Sequence, residues 1–117
     1  MAFHAEVRQS GDVAILDLAG DLNATAAETM DAAYQRATAD RSGPLLLNFS
    51  SVGYINSTGI ALVVGLLAQA RREARAVRTV GLSDHYQHIF EITRLSDFMD
   101  FYPDEAAAVA GVAPASA

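Results

Sequence analysis

Residues 44–49, Pro-Leu-Leu-Leu-Asn-Phe, constrain the fold most strongly: they are a short continuous apolar run between two stretches of helical periodicity. A run of that length reads as a strand buried on both faces. Before it, residues 21–40 place Ala26, Met30, Ala33 or Tyr34, and Ala37 on one helical stripe. After it, from Thr58, the stripe Ile60, Val63, Val64, Leu67 and Ala70 or Arg71 marks a second helix. Leu62 and Leu66 lie off that stripe, so the first half of this helix is apolar nearly all round. Its second half, residues 69–75, is a solvated face. Strands alternating with helices predict an α/β domain whose parallel strand pairs are joined by right-handed crossovers.

The flanking stretches extend the pattern. Residues 3–9 alternate weakly, 10–12 form a turn, and 13–20 are rich in β-formers, which together predict a hairpin. Asn23 or Thr25 can cap the first helix, and Thr25-x-x-Glu28 matches a capping box. Residues 50–54 read as a loop, and 76–82 as a strand. Ser83 is a cap signal for a short helix that groups Tyr86, Ile89 and Phe90. A last short strand is expected at 97–102 and a last helix at 103–111, with Pro103 near its start. The expected architecture is a mixed central sheet with the helices 23–40 and 58–74 packed mainly on one face. One domain, 1–110, is followed by a flexible tail, 111–117, made of small residues and a proline.

Composition narrows the function. The chain has 117 residues, the size of one ordinary domain, and is 51% hydrophobic, enough for a real core. The formal net charge is -6 and all eight cations are arginines, a poor balance for binding nucleic acid. The absence of cysteine excludes disulfides and thiolate metal sites. The start carries no apolar signal segment, and no stretch approaches about 18 unbroken apolar residues. The expectation is a soluble, cytoplasmic protein without membrane association.

Chemistry-bearing residues concentrate at the start of the second helix, in Ile55-Asn56-Ser57-Thr58-Gly59. Ser57 fits an N-cap, contributing about 1 kcal/mol through a bond to a free backbone N–H. The same place favours a phosphate, because a helix N-terminus carries partial positive charge and unpaired donors. A hydrolase nucleophile elbow needs a glycine two residues before the serine, and Ile55 stands there. His4 lies in the hairpin, while His85 and His88 are three apart on a polar helix face with no third ligand evident. No phosphate-binding glycine loop is present. Leu62 and Leu66 fit either a helix sandwiched in the core or a partner-binding surface.

Three stretches in register resemble the STAS domain, the fold of bacterial anti-sigma-factor antagonists. Residues 19–30, AGDLNATAAETM, look like the family's G-[ED]-L-D segment and first helix. Residues 45–67 look like its signature of buried strand, hydroxyl-bearing loop, glycine and helix, and residues 88–109 like its closing segment. The resemblance implies a binding protein rather than an enzyme, with no cofactor or metal of its own. In the family, the unphosphorylated antagonist binds an anti-sigma factor that is also an ATP-dependent serine kinase. That kinase phosphorylates the serine after the signature Asp, and a metal-dependent serine phosphatase resets the cycle. Carried onto this chain, the acceptor is Ser57, flanked by Asn56, Thr58 and Gly59, with Gly59 letting the partner approach closely. Asp21, Asn23, Leu62 and Leu66 become the partner-binding candidates.

The chain departs from the family pattern at three positions. Asn56 stands for the signature Asp, Asn23 for a second Asp, and Arg94 for a glycine that suits a positive φ. Some STAS proteins are adapters that never cycle through phosphate and serve as subunits of transport or signalling assemblies. Asn56 keeps both readings open, and the oligomeric state is left open as well.

Overall fold

The computed structural model describes residues 1–112. Strands β1 (His4–Ser10) and β2 (Val13–Leu22) form the expected antiparallel hairpin, with His4 opposite Ala19 and Ser10 opposite Val13. From β2 onward every neighbour is parallel: β3 (Leu45–Ile55), β4 (Val77–Val80) and β5 (Asp100–Phe101) follow in sequence order across one five-stranded sheet. Parallel neighbours need crossovers. These are supplied by α1 (Ala27–Thr38), α2 (Ser57–Arg72) and α3 (Asp84–Ile92), and α4 (Glu105–Ala110) closes the chain.

Side-chain alternation divides the core in two. Ala14, Leu16 and Leu18 of β2 and Leu45, Leu47 and Phe49 of β3 pack under α1, α2 and α3, with Met30, Tyr34, Val63, Leu67 and Phe90 filling the layer. Val13, Ile15, Leu46 and Val80 point to the opposite face, where Ala108 of α4 covers them. The leucines at 45–47 are therefore consecutive because both faces of β3 are dry along that stretch, while Asn48 is partly open and donates to Asp17. Three helices on one face and one short helix on the other fit the expected arrangement.

Arginines fasten the thin second layer and the loops. Arg78 donates to the carbonyls of Ala108 (2.8 Å) and Val109 (3.3 Å) at the end of α4. Arg8 on β1 bridges Asp17 of β2 and Glu105 of α4. The Arg8 hydrogen bond, aided by Asn48, holds the Asp17 carboxyl below the usual carboxylate range, and Arg8 does the same for Glu105. Arg75 reaches the carbonyls of Gly43 (2.6 Å) and Arg41 (2.7 Å), tying the loop before β3 to the loop before β4.

Several local expectations are corrected. The residues at 50–54 continue β3 rather than forming a loop; two register shifts against β2 absorb the extra residues, so polar and glycine-bearing sequence stays in the ladder. The capping box at Thr25 and Glu28 does not form. Asn23 instead caps a short 3-10 turn, Ala24–Ala26, and α1 begins after it without a side-chain cap. The strand expected at 97–102 shrinks to Asp100–Phe101 because a 3-10 turn, Leu95–Phe98, occupies its start. The last helix starts at Glu105 with Asp104 as its cap, accepting from the Ala107 N–H at 2.8 Å, so Pro103 lies outside it. Of the expected tail, Gly111 ends α4 and residues 113–117 lie outside the described residues.

Arg94 adopts φ 68, ψ 13, the left-handed conformation that the family's glycine takes without a Cβ penalty. Its ion pair with Asp97, at 2.9 Å, is too exposed (79% and 47%) to offset that strain. Arg94→Gly is expected to raise stability by about 0.5–1 kcal/mol. The urea midpoint should rise with an unchanged slope. A lower midpoint would mean that the Asp97 contact outweighs the backbone strain.

Candidate functional site

The ends of β2 and β3 lie side by side, Leu22 opposite Ile55, and the segments that follow them leave the sheet together. Asp21–Asn23 and Asn56–Thr58 therefore share one end of the domain. Asn56 is held by three hydrogen bonds to two elements, β2 and α2. Its N–H donates to the Leu22 carbonyl at 3.2 Å, and its own carbonyl accepts from Ile60 N–H at 2.9 Å. Its side-chain Oδ1 accepts from Gly59 N–H at 2.8 Å. The preceding Ile55 N–H donates to the Tyr86 hydroxyl of α3 at 2.9 Å.

This geometry corrects the reading of Ser57 as the cap. Asn56, in extended conformation, is the N-cap, and Ser57 is the first helical residue. Both amide and hydroxyl side chains suit the cap position, so three adjacent candidates left the choice to tertiary structure. The consequence is chemical. Ser57 and Thr58 are both exposed, and among the described residues neither hydroxyl makes a hydrogen bond. Their backbone N–H groups belong to the first helical turn, where no intrahelical acceptor exists.

Gly59 has a different role from the one expected. It is buried, and a Cβ there would lie 2.0 Å from the Leu22 carbonyl oxygen and 3.1 Å from Ile55 Cγ2. The glycine thus lets α2 press against the end of β2; it does not open a path for a partner. Asn23 is committed locally, its Oδ1 accepting from Thr25 N–H (3.0 Å) and Thr25 Oγ1 (2.6 Å). Asp21 is half-buried and accepts from the Met1 amino group at 2.6 Å.

The buried stripe of α2 is Gly59, Val63, Leu66, Leu67 and Ala70. It is rotated from the expected stripe: Val64 is 44% exposed, and Leu66, at 7%, belongs to the core. The shift arises because α1 packs beside α2 as well as the sheet beneath it. The two helices flank a groove lined by Met30, Asp31, Tyr34, Leu62, Gly65 and Leu66. Only Leu62 of the two leucines is partly open. Along the same packing, the Tyr34 hydroxyl donates to Glu73 at 2.7 Å, and burial first, then that bond, pushes its pKa up to about 12.

Two tyrosines of this region take positions that the sequence pattern alone does not record. Tyr54 is 53% exposed, three residues before Ser57. Tyr86 was placed with Ile89 and Phe90, and the signal available was that a tyrosine on an apolar helix face needs a partner for its hydroxyl. The histidines are exposed, and among the described residues no group of three or more His, Asp or Glu side chains is placed to hold a metal. No helix among the described residues is long and apolar enough to cross a membrane.

Comparison with known proteins follows the same lines. A family model described as "Mlab, STAS domain" matches residues 5–100. The chain belongs to the STAS family. It is similar to a protein of Listeria monocytogenes named anti-sigma-B factor antagonist, with 30% identity over 71% of this chain and 73% of that one. A protein of the same name from Staphylococcus aureus is 35% identical over 51% of this chain, and the match spans about half of the relative's length, 56%. The solved Bacillus cell fate determinant SpoIIAA, in its phosphorylated form, superposes with a TM-score of 0.69 at 22% identity, covering 94% of this chain and 99% of that one. The superposition shows that the chain shares the fold of that protein.

The site geometry predicts a graded response in denaturation. Asn56→Ala is expected to cost about 1 kcal/mol, the loss of one cap. Asn56→Asp keeps an acceptor for Gly59 N–H and should cost little. Gly59→Ala drives a Cβ into a backbone carbonyl and is expected to cost about 1–3 kcal/mol. Urea midpoints for the three variants check the order, and a neutral Gly59→Ala would refute the close packing of α2 on β2.

Proposed function

We propose that this STAS domain is a phosphorylation-controlled anti-sigma-factor antagonist, with Ser57 as the phosphate acceptor. The observation that carries the reading is the free, exposed Ser57 hydroxyl on the first turn of α2, left unengaged because Asn56 takes the cap. The partner is an anti-sigma factor that is also a serine kinase. Bound to the unphosphorylated domain, it is sequestered from its sigma factor. The kinase supplies ATP and the catalytic base. The Ser57 Oγ–P bond forms as the bond from the γ-phosphorus to the bridging oxygen of ADP breaks, and the hydroxyl proton passes to the kinase. A metal-dependent serine phosphatase restores the hydroxyl. The relatives named anti-sigma-B factor antagonists and the phosphorylated Bacillus structure support this reading, which also places the protein in the cytoplasm.

Phosphate adds roughly -1.5 to -2 charges. At the first turn these meet the positive end of the α2 dipole and two unpaired N–H groups, so the host fold is expected to stay put. The partner instead meets a group that resists desolvation, and affinity falls without refolding. A second reading, a STAS adapter that never takes phosphate, draws on Asn56, whose neutral amide caps α2 without the carboxylate of the family signature.

The deciding experiment incubates the purified chain with its cognate kinase and ATP and maps phosphate by mass spectrometry. The expected outcome is one phosphate on Ser57, lost in Ser57→Ala and retained in Thr58→Ala. Ser57→Asp should weaken partner binding by tenfold or more, roughly 1.4 kcal/mol, while its melting temperature changes little. Phosphate on Thr58 would move the acceptor, and none anywhere with a partner still bound would favour the adapter.

The partner surface is tested separately. Leu62→Asp is expected to weaken binding with little loss of stability, since the side chain is half-buried at the groove rim. Leu66→Asp buries a charge in the core and should unfold the domain. Isothermal titration beside circular dichroism separates the two, and a fully binding Leu62→Asp would remove the groove from the interface.

A further inference from the structure

The Ile55–Tyr86 hydrogen bond joins elements that the sheet itself leaves apart. The ladder between β3 and β4 covers only Leu45 to Asn48, paired with Val77 to Val80. Beyond Asn48 the β4 side of β3 has no strand neighbour, while the β2 side stays paired as far as Ile55. Ile55 N–H thus faces a place where a strand acceptor is missing, and Ile55 itself is buried. A buried N–H without an acceptor is costly. The Tyr86 hydroxyl, half-buried on the first turns of α3, takes that bond at 2.9 Å.

The turn that carries Ser57 begins directly after this point. Ile55 is followed by Asn56, whose N–H is held by Leu22 on the β2 side and whose Oδ1 holds Gly59 N–H. The turn is therefore clamped between β2 and α3, and the α3 side of the clamp is one phenol oxygen. α3 is in turn fixed at its start by Ser83, whose Oγ accepts from the Tyr86 N–H at 3.3 Å, and by Phe90, which is fully buried edge-on against Phe49. The cap of α3 and the phenol that holds the site thus belong to the same first turn of one helix.

We infer that Tyr86 is a positioning residue for the Asn56–Ser57 turn, its hydroxyl fixing the direction in which α2 presents the Ser57 side chain. The part that concerns phosphate rests on the reading of Ser57 as acceptor; the part that concerns the turn does not. Tyr86→Phe removes one oxygen and keeps the ring. It leaves the last residues of β3 free to shift while the core beneath stays packed. The partner then meets an ensemble of turns instead of one, and binding loses the fraction of molecules in the competent arrangement.

The test uses the full chain and two readouts. In amide hydrogen exchange followed by NMR, Tyr86→Phe is expected to speed exchange at Ile55 by about tenfold, the loss of one hydrogen bond, with Leu46 and Leu47 unchanged. In phosphorylation by the cognate kinase, KM for the chain should rise about three- to tenfold with kcat within twofold, a signature of lost presentation rather than lost chemistry. Unchanged Ile55 exchange overturns the inference. So does equal acceleration at Leu46, Leu47 and Ile55, which makes the hydroxyl a global stabiliser. Tyr86→Leu is the control for the ring: a Phe variant that matches wild type while Leu fails would assign the role to packing and likewise overturn it. A wild-type chain that takes no phosphate defeats the acceptor reading alone, and the exchange measurement then decides the role of Tyr86.

Discussion

The contact on which the site depends is the approach of Gly59 to the Leu22 carbonyl. β2 and β3 run parallel and end level, so the crossover helix must start directly over the strand ends. Any side chain at position 59 would fill the gap, since an added Cβ reaches within 2.0 Å of the carbonyl oxygen. With hydrogen alone in that place, α2 comes down until the Leu22 oxygen is shared between contact with Gly59 and the N–H of Asn56. The Asn56 side chain then folds back onto Gly59 N–H. One missing methyl group therefore sets where α2 begins, which residue caps it, and which hydroxyls remain free.

The two sides of the sheet are held by different physics. Under α1, α2 and α3 the layer is thick and apolar, and burial of Leu, Val and Phe side chains supplies most of the stabilisation. On the other side α4 is six residues long and buries little beyond Ala108. A helix that short is marginal on its own. Directional contacts compensate: Asp104 caps its start, Arg78 binds its last carbonyls, and Arg8 links Glu105 to Asp17. This use of arginine explains how so acidic a chain spends its few cations. Three of them, Arg8, Arg75 and Arg78, are engaged in joining elements distant in sequence.

What the sequence revealed, and what it hid, follows from the range of the forces involved. The buried strands at 13–20 and 44–49 were legible because continuous apolar runs report burial on both faces. The hairpin and the Ser83 cap are local as well, and both formed. The positive φ at Arg94 was legible only through the family's glycine, because no arginine announces a left-handed backbone. The end of β3 was not legible: serines and a glycine read as a loop, and the ladder tolerates them through register shifts set by β2, some thirty residues away. The exchange of Val64 for Leu66 on the buried arc of α2 depended on α1 lying alongside, which periodicity within one helix does not record. Tyr86 was hidden for the same reason, since its acceptor role is defined by a backbone N–H 31 residues earlier.

On the proposed reading, Asn56 is the position where structure and switch meet. As a cap, asparagine and aspartate are nearly equivalent, because either offers an oxygen to Gly59 N–H. As a neighbour of phosphate they differ. A carboxylate at 56 would already occupy the positive end of the α2 dipole, and a phosphate on Ser57 would then bring roughly 1.5 to 2 further negative charges beside it. Like charges at that spacing repel, and the repulsion would fall on the host. The neutral amide leaves the dipole and the N–H groups of Ser57 and Thr58 uncommitted. On the proposed reading the phosphorylated form of this chain is accordingly less strained than one built on an aspartate, and the electrostatic cost of the phosphate falls mainly on the partner. A switch of that kind would work by excluding the partner while leaving its own fold alone, and the contacts at Leu22, Gly59 and Tyr86 that hold the start of α2 fit that requirement.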